Sequence, residues 1–305
     1  MKITVASKGR ILTKSGFYEY DYCINPYVGC RYGCAYCYVR FFIKDENEEW
    51  GNFLRTRNHI KDKLPKELQK LPIIIRKKGI VKYKGPELAD ARIVLGTMTD
   101  PYQPEEKKQL LTRKALEMLL QNPPKKVGLF TRSPIAARDI DLFQQLPDFR
   151  IHVTIVPLPQ EIKKKIEPIP VTIRASLRLV KKLKEEGIRT HVNIAPIIPG
   201  FCDPYVEEVL EAMAEYKVDE FFADPMQPYR DSAEKIAECL QDTAEWAETQ
   251  KLMSDKAAYM IWKDELHYRL LKLWDQSKSP NTRAISCDHE RGLWRDLDTG
   301  ADIPY

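Results

Sequence analysis

Three cysteines fall within eight residues, as Cys30-Arg-Tyr-Gly-Cys34-Ala-Tyr-Cys37. Thiolates are soft ligands that suit zinc or iron–sulfur clusters, and crowded thiols in a reducing compartment point to metal rather than to disulfides. Gly29 and Gly33 let so short a loop turn tightly enough to aim its sulfurs at one point. A structural zinc site asks for four ligands, commonly two paired C-x-x-C turns. The spacing here is different, and no second clustered pair exists in the chain. Three thiolates on a four-iron cluster leave one iron open to a small molecule, which makes an electron carrier into a catalyst. Cys23, seven residues upstream, is the one neighbour that would complete a four-cysteine zinc site. Cys202, Cys239 and Cys287 stand alone and read as small buried apolar side chains. Seven cysteines, an odd number, in a chain of 305 residues fit no secreted disulfide framework.

The elements that must carry this loop follow from periodicity. Residues 3–22 read as short strands leading to a core strand near Tyr22–Tyr27, and a helix is expected from Tyr38. Residues 44–90 are charged and broken by prolines, and read as an insertion with a short strand at Ile73–Ile75. Beyond them strands are expected at Arg92–Thr97, Lys126–Thr131, Arg150–Val156, Thr190–Ile197 and Asp219–Ala223. Helices are expected at Glu105–Gln121, Ile135–Leu146, Arg174–Glu186 and Pro204–Tyr216. Strands alternating with helices mean βαβ units and a parallel sheet. About six units over residues 20–230 predict an α/β fold, a partial (β/α)6 TIM-like barrel, with a helical C-terminal extension over 231–278. The domain reading is a barrel at 1–230 and an extension with tail at 231–305. That tail is read as a packed terminal segment, or else as a cap that brings Cys287 or His289 near the chemistry. In parallel barrels the active site lies at the C-terminal ends of the strands. That rule nominates the cysteine loop, Thr97–Asp100, Arg132–Ser133, Thr154, Asn193 and Asp224.

The cysteine spacing, with an aromatic before the last cysteine, resembles the signature of the radical S-adenosylmethionine (radical SAM) superfamily. The longer string Asn25-Pro-Tyr-Val-Gly-Cys-Arg-Tyr-Gly-Cys-Ala-Tyr-Cys-Tyr38 is similar to the branch related to spore photoproduct lyase. The resemblance covers residues 8 to 203 or so. It implies a [4Fe–4S] cluster on Cys30, Cys34 and Cys37 and S-adenosylmethionine as second cofactor, cleaved reductively to a 5′-deoxyadenosyl radical that takes hydrogen from a substrate. It also implies an electron donor such as ferredoxin or flavodoxin, with a nucleobase or nucleic acid favoured as substrate over a peptide or small metabolite. Gly96-Thr-Met-Thr-Asp-Pro-Tyr-Gln-Pro104 looks like the family's second-strand string, with Met98 where Asn is common. By that likeness Thr97, Thr99 and Asp100 would accept the methionine ammonium. Arg132 would pair with its carboxylate where Lys is more usual, Thr154 would stand near the ribose, and Asn193 and Tyr36 near the adenine. Spore photoproduct lyase itself has a further cysteine downstream of its loop. Here none lies between Cys37 and Cys202, which argues against true photoproduct repair and leaves Cys202 as the alternative hydrogen donor.

Composition adds bounds. With 43% hydrophobic residues the chain can bury a core. Its +5 charge permits an anionic partner without demanding one. No apolar run is long enough to span a bilayer and the first residues lack a signal-peptide core, so a cytoplasmic protein with no membrane partner is expected. The competing function is a non-catalytic zinc or iron–sulfur electron-transfer protein.

Overall fold

The computed structural model describes residues 2–6, 9–17, 19–43, 45, 47–226, 232–277, 283–288, 293–296 and 302–304. The chain is a mixed α/β protein with a large, mostly parallel sheet. It divides into two compact units: Met1–Tyr32 with Phe42–His152 and Glu186–Ile188, and Gly33–Phe41 with Val153–Glu185 and Arg189–Tyr305.

In the first unit the strand Tyr22–Ile24 runs parallel to Arg92–Leu95, which runs parallel to Lys126–Thr131. Leu12–Lys14 closes this side antiparallel to Tyr22–Ile24. Ile93, Val94, Leu95, Val127 and Leu129 are fully buried. Such short apolar runs, covered on both faces, are what a parallel strand requires. Because the strands are parallel and in register, Asn25, Gly96 and Thr131–Arg132 emerge on the same edge. Helix Leu111–Gln121 buries Leu111, Ala115, Leu116 and Leu119, one helical stripe.

The expected helix over Glu105–Gln121 is two helices, Glu106–Gln109 and Leu111–Gln121, separated by Leu110 at φ 54. The Glu106 carboxylate turns back to accept the Leu111 and Thr112 N–H groups at 3.0 and 3.1 Å, and so starts the second helix. The expected helix Ile135–Leu146 is a tighter 3₁₀ run, Pro134–Asp139, followed by one α-turn, Ile140–Phe143. Residues 47–90 hold more regular structure than their composition suggests. Phe53–Thr56 pairs with both Lys2–Val5 and Tyr27–Val28. Ile60–Leu68 is a helix, and Ile74–Lys77 with Ile80–Lys84 forms a hairpin.

In the second unit Arg189–Ile197 pairs parallel with Glu220–Pro225. Helix Ile173–Glu185 buries Ile173, Leu177, Val180 and Leu183, and Asp203–Glu215 buries Val206, Val209, Leu210 and Met213. The helix expected from Tyr38 is only a short 3₁₀ turn, Tyr38–Phe41, and Gln160–Ile166 is a helix that periodicity missed. The helical extension is present as Ser232–Leu240, Ala244–Ser254 and Lys256–Ser277. Thr249 donates to the Pro199 carbonyl at 3.0 Å and Tyr259 to the Met226 carbonyl at 2.9 Å, which anchors the extension to the ends of the strands. The tail differs from its turn-rich reading. Arg283–Asp288 joins Glu220–Pro225 in parallel, and Leu293–Asp296 and Asp302–Pro304 follow antiparallel. Cys287 is thus a strand residue, while His289 lies outside the described residues. Among the described residues no helix is long and apolar enough to cross a membrane.

Candidate active site

Asn25, immediately after the first core strand, ties down the second strand's end. Its amide nitrogen donates to Thr97 Oγ1 at 3.2 Å and its oxygen accepts the Met98 N–H at 2.8 Å. Thr99 donates to the Gly29 carbonyl at 2.6 Å, one residue before Cys30. Gln103, fully buried, donates to Thr99 Oγ1 at 3.2 Å and accepts the Arg31 N–H at 2.9 Å. Arg31 also pairs with Glu105, and Tyr27 donates to Glu106. The string 97–106 therefore grips the chain on both sides of Cys30. Gly29, at φ +87, admits no side chain, since a Cβ there would stand 2.6 Å from the Phe53 carbonyl oxygen.

Asp100 joins the second strand's end to the third. Its Oδ1 accepts Thr131 Oγ1 at 2.7 Å and the Tyr102 N–H at 2.8 Å, and its Oδ2 accepts the Arg132 N–H at 2.9 Å. A little of its surface reaches solvent, yet it is set among protein atoms, and that loss of water raises its pKa against the pull of the three donors. The Arg132 guanidinium lies 5.5 Å from the centre of the Tyr32 ring, a favourable cation–π arrangement. Burial, and then the charge of Asp100, push the Tyr32 phenol up, while its hydrogen bond to Ser133 opposes the shift.

Behind this edge stands an ion network. Arg138 pairs with Glu106 at 3.0 Å and with Asp139 at 2.7 Å, Arg113 reaches Asp139 at 2.8 Å, and Tyr102 donates to Asp139 at 2.9 Å. Both carboxylates are fully buried. Ionised groups stay buried only when paired and hydrogen-bonded in this way.

In the second unit the Cys37 N–H bonds the Cys34 carbonyl at 3.1 Å and the Ala35 N–H bonds the Ile166 carbonyl at 2.9 Å. Tyr36 donates to the buried Glu167 at 2.5 Å. Thr154 and Asn193 stand within strands rather than after them. Asn193 alternates with the fully buried Val192 and Ile194, so its side chain points to the opposite, less covered face. Thr97, Thr99, Asp100 and Arg132 are brought together with the chain around Cys30. Tyr36 lies with Cys34 and Cys37.

Cys30 and Cys34 are buried, Cys37 is partly exposed, and none of the three is in a disulfide. Three unbridged thiols on an eight-residue loop are a suitable donor set for a cluster that needs three protein ligands. Among the described residues no three His, Cys, Asp or Glu side chains are gathered to grip a single ion, which a cube holding its ligands at separate corners does not need. Cys23 is engaged elsewhere: its thiol is 3.1 Å from Thr13 Oγ1, and it packs with Tyr20 and Val94. Cys202 is fully buried and accepts the Ile198 N–H at 3.1 Å, and burial pushes its thiol up, so that it stays protonated. Asn25 and Gln103 lie inside the strings that carry the resemblance, but without a role until the fold is seen. Nothing in the sequence marks Glu106.

Residues 24–213 match the family model described as the Radical SAM superfamily. An uncharacterised protein of Methanocaldococcus jannaschii is 32% identical over 183 residues, 60% of this chain and 62% of its own length. An uncharacterised protein of Acidianus two-tailed virus is 26% identical over 287 residues, covering 89% and 81%. Among solved structures, a spore photoproduct lyase variant with bound AdoMet and dinucleoside spore photoproduct superposes with TM-score 0.56 at 14% identity, over 79% of this chain and 66% of that one. At that identity the likeness is one of fold. The chain spans just under two thirds of that lyase and of the M. jannaschii protein.

Proposed function

Since the chain belongs to the radical SAM superfamily, we propose that it is an enzyme in which Cys30, Cys34 and Cys37 hold a [4Fe–4S] cluster beside S-adenosylmethionine. When bound, the reduced cluster supplies the electron that splits the sulfonium's C5′–S bond and so yields a radical able to take hydrogen from an unreactive C–H. The chain's own residues orient and enclose. Thr97 and Thr99 offer oxygens near the loop for the methionine ammonium. Asp100, the third acceptor for that ammonium, also takes hydrogen bonds from Thr131, Tyr102 and Arg132, and so holds the two strand ends at a fixed separation. Arg132, with its backbone fixed by Asp100 and its guanidinium against Tyr32, is set to meet the carboxylate. Thr154 and Asn193 are assigned to ribose and adenine, and Tyr36, braced by Glu167, to the adenine side of the loop.

The observation that carries this reading is the pinning of the Cys30 loop by Thr99 and Gln103. A radical reaction needs its cofactors held in one geometry with water kept out, and an electron carrier needs no such rim. The reductant is a low-potential donor of ferredoxin or flavodoxin type. The substrate is a nucleobase or nucleic acid rather than a peptide or small metabolite. The barrel is assigned to residues 1–230, with 231–305 as a helical extension and tail, and the protein to the cytoplasm.

The test is anoxic purification with iron and sulfide analysis, then dithionite plus S-adenosylmethionine. Iron and sulfide in equal amounts and release of 5′-deoxyadenosine are expected. The Cys30→Ala, Cys34→Ala, Cys37→Ala triple variant should lose both while keeping its circular dichroism spectrum. Zinc without sulfide would overturn the reading.

A further inference from the structure

The hairpin Ile74–Lys84 takes no part in the site described above, yet its chemistry is distinctive. Its strands pair only with each other among the described residues. Lys78 and Gly79, at φ 50 and 77, form the two-residue turn, and two positive φ values in sequence are the turn that suits a twisted ribbon. Nearly every residue of the hairpin is exposed, including Ile74, Ile80 and Val81 at 46%, 60% and 45%. From Leu68 to Pro86 there are six basic residues and no acidic one, in a chain where Lys and Arg only slightly outnumber Asp and Glu.

Lysines on an exposed edge also keep sheets from aggregating. That role is served by either sign of charge and so does not account for the absence of acids. The ribbon is held at its base by Tyr83, which donates to the Asp21 carbonyl at 3.1 Å and carries the Lys14 ammonium 4.5 Å over its ring. Asp21 is itself ion-paired with Arg92 at 3.0 Å, which leaves the basic field little opposed.

The rungs decide what the ribbon fits. Ile74 faces Lys84, Arg76 faces Val81, and Lys77 faces Ile80. Three of the four rungs set an aliphatic group beside a cation and the fourth pairs Ile75 with Tyr83, two residues from Lys77 on its strand, so neither face is purely apolar. A membrane-surface element needs its apolar and cationic groups on opposite faces. A nucleic-acid groove has phosphate walls and a floor of base edges and methyl groups, and a two-stranded ribbon fits a major groove about 12 Å wide.

We propose that this hairpin is a nucleic-acid-binding ribbon that seats in a duplex groove through Arg76, Lys77, Lys82 and Lys84. It rests on the radical reading only for what the bound duplex is for, because binding is measured apart from turnover.

The probe is a fluorescein-labelled duplex of about twenty base pairs, titrated by anisotropy with the cluster-loaded, full-length protein at several salt concentrations. Each phosphate contact contributes about 0.9 to the slope of log affinity against log salt. The Arg76→Gln, Lys77→Gln, Lys82→Gln, Lys84→Gln variant should bind at least about tenfold more weakly, with a slope reduced by about 3.6. The exposed pair Lys107→Gln, Lys108→Gln should bind as the parent does. Both variants should keep the parent's melting temperature and its release of 5′-deoxyadenosine without substrate. Equal duplex binding by parent and hairpin variant overturns the proposal, as does equal loss in both variants. So does a stronger, hairpin-dependent attachment to phosphatidylserine vesicles than to the duplex. Failure to cleave S-adenosylmethionine removes the radical reading and leaves the binding result standing.

Discussion

Two oxygens of Asp100 accept hydrogens from Thr131, Tyr102 and Arg132. An isosteric amide can keep one oxygen in place, but it turns an NH₂ toward a donor. Asp100→Asn should therefore cost about 1–3 kcal/mol of stability and weaken S-adenosylmethionine binding about tenfold, through loosening of Arg132 by about 1.4 kcal/mol. Calorimetry on the reconstituted protein checks this, and unchanged affinity would place Arg132 outside the cofactor site. Thr97–Asp100 and Arg132 were legible as strand-end residues because polar groups following apolar runs stand out, whereas Thr154 and Asn193 lie inside strands that run on past them. What they do was not, because Asp100 acts on a neighbouring strand some thirty residues on. Met98 shows the same limit from the other side. It departs from the family string, yet Asn25 holds position 98 by its main-chain N–H, so the side chain there is not part of the grip.

The Leu110 break illustrates how one carboxylate can reset an element. Helix Leu111–Gln121 begins where it does because the Glu106 side chain receives its first N–H groups while also meeting Arg138 and Tyr27. Glu106→Gln should destabilise the protein by about 1–3 kcal/mol, since a buried carboxylate that accepts the first N–H groups of the helix becomes an amide, whereas Glu117→Gln, half-buried and paired with Arg113 at 3.5 Å, should cost under about 1 kcal/mol. Denaturant titration distinguishes them, and similar costs would mean that Glu106 is dispensable. The long strands after Lys126 and the helices Ile173–Glu185 and Asp203–Glu215 were readable from periodicity because each helix buries a single apolar stripe. The broken helix was not, since its break comes from a side-chain cap rather than from Gly or Pro. Nor were the tail strands, whose pairing depends on Glu220–Pro225, sixty residues upstream.

Across the fold, one buried imidazole makes stability depend on acidity. His152 accepts or donates with Tyr20 at 2.9 Å and stacks on Phe130 at 4.2 Å. Burial foremost, then Arg150 and Lys126, bring its pKa down to about 3. Between that value and the ordinary 6.5 the unfolded chain binds a proton that the folded chain refuses, so stability falls as pH falls. The slope from this group is about 1.4 kcal/mol per pH unit below about 6. Equilibrium unfolding of His152→Phe between about pH 5 and 6.5 should show a shallower dependence than the parent, whatever its absolute stability. An unchanged slope would assign acid sensitivity elsewhere.

The two units are also interleaved along the chain, and this governs the order of events during synthesis. Gly33–Phe41 leaves the ribosome early, but Ala35 and Tyr36 find their partners at Ile166 and Glu167. Until those residues have been translated, the thiols of Cys34 and Cys37 sit on a nascent loop without its scaffold. On the proposed ligand assignment, loading of iron and sulfide waits until Ile166 and Glu167 have been made.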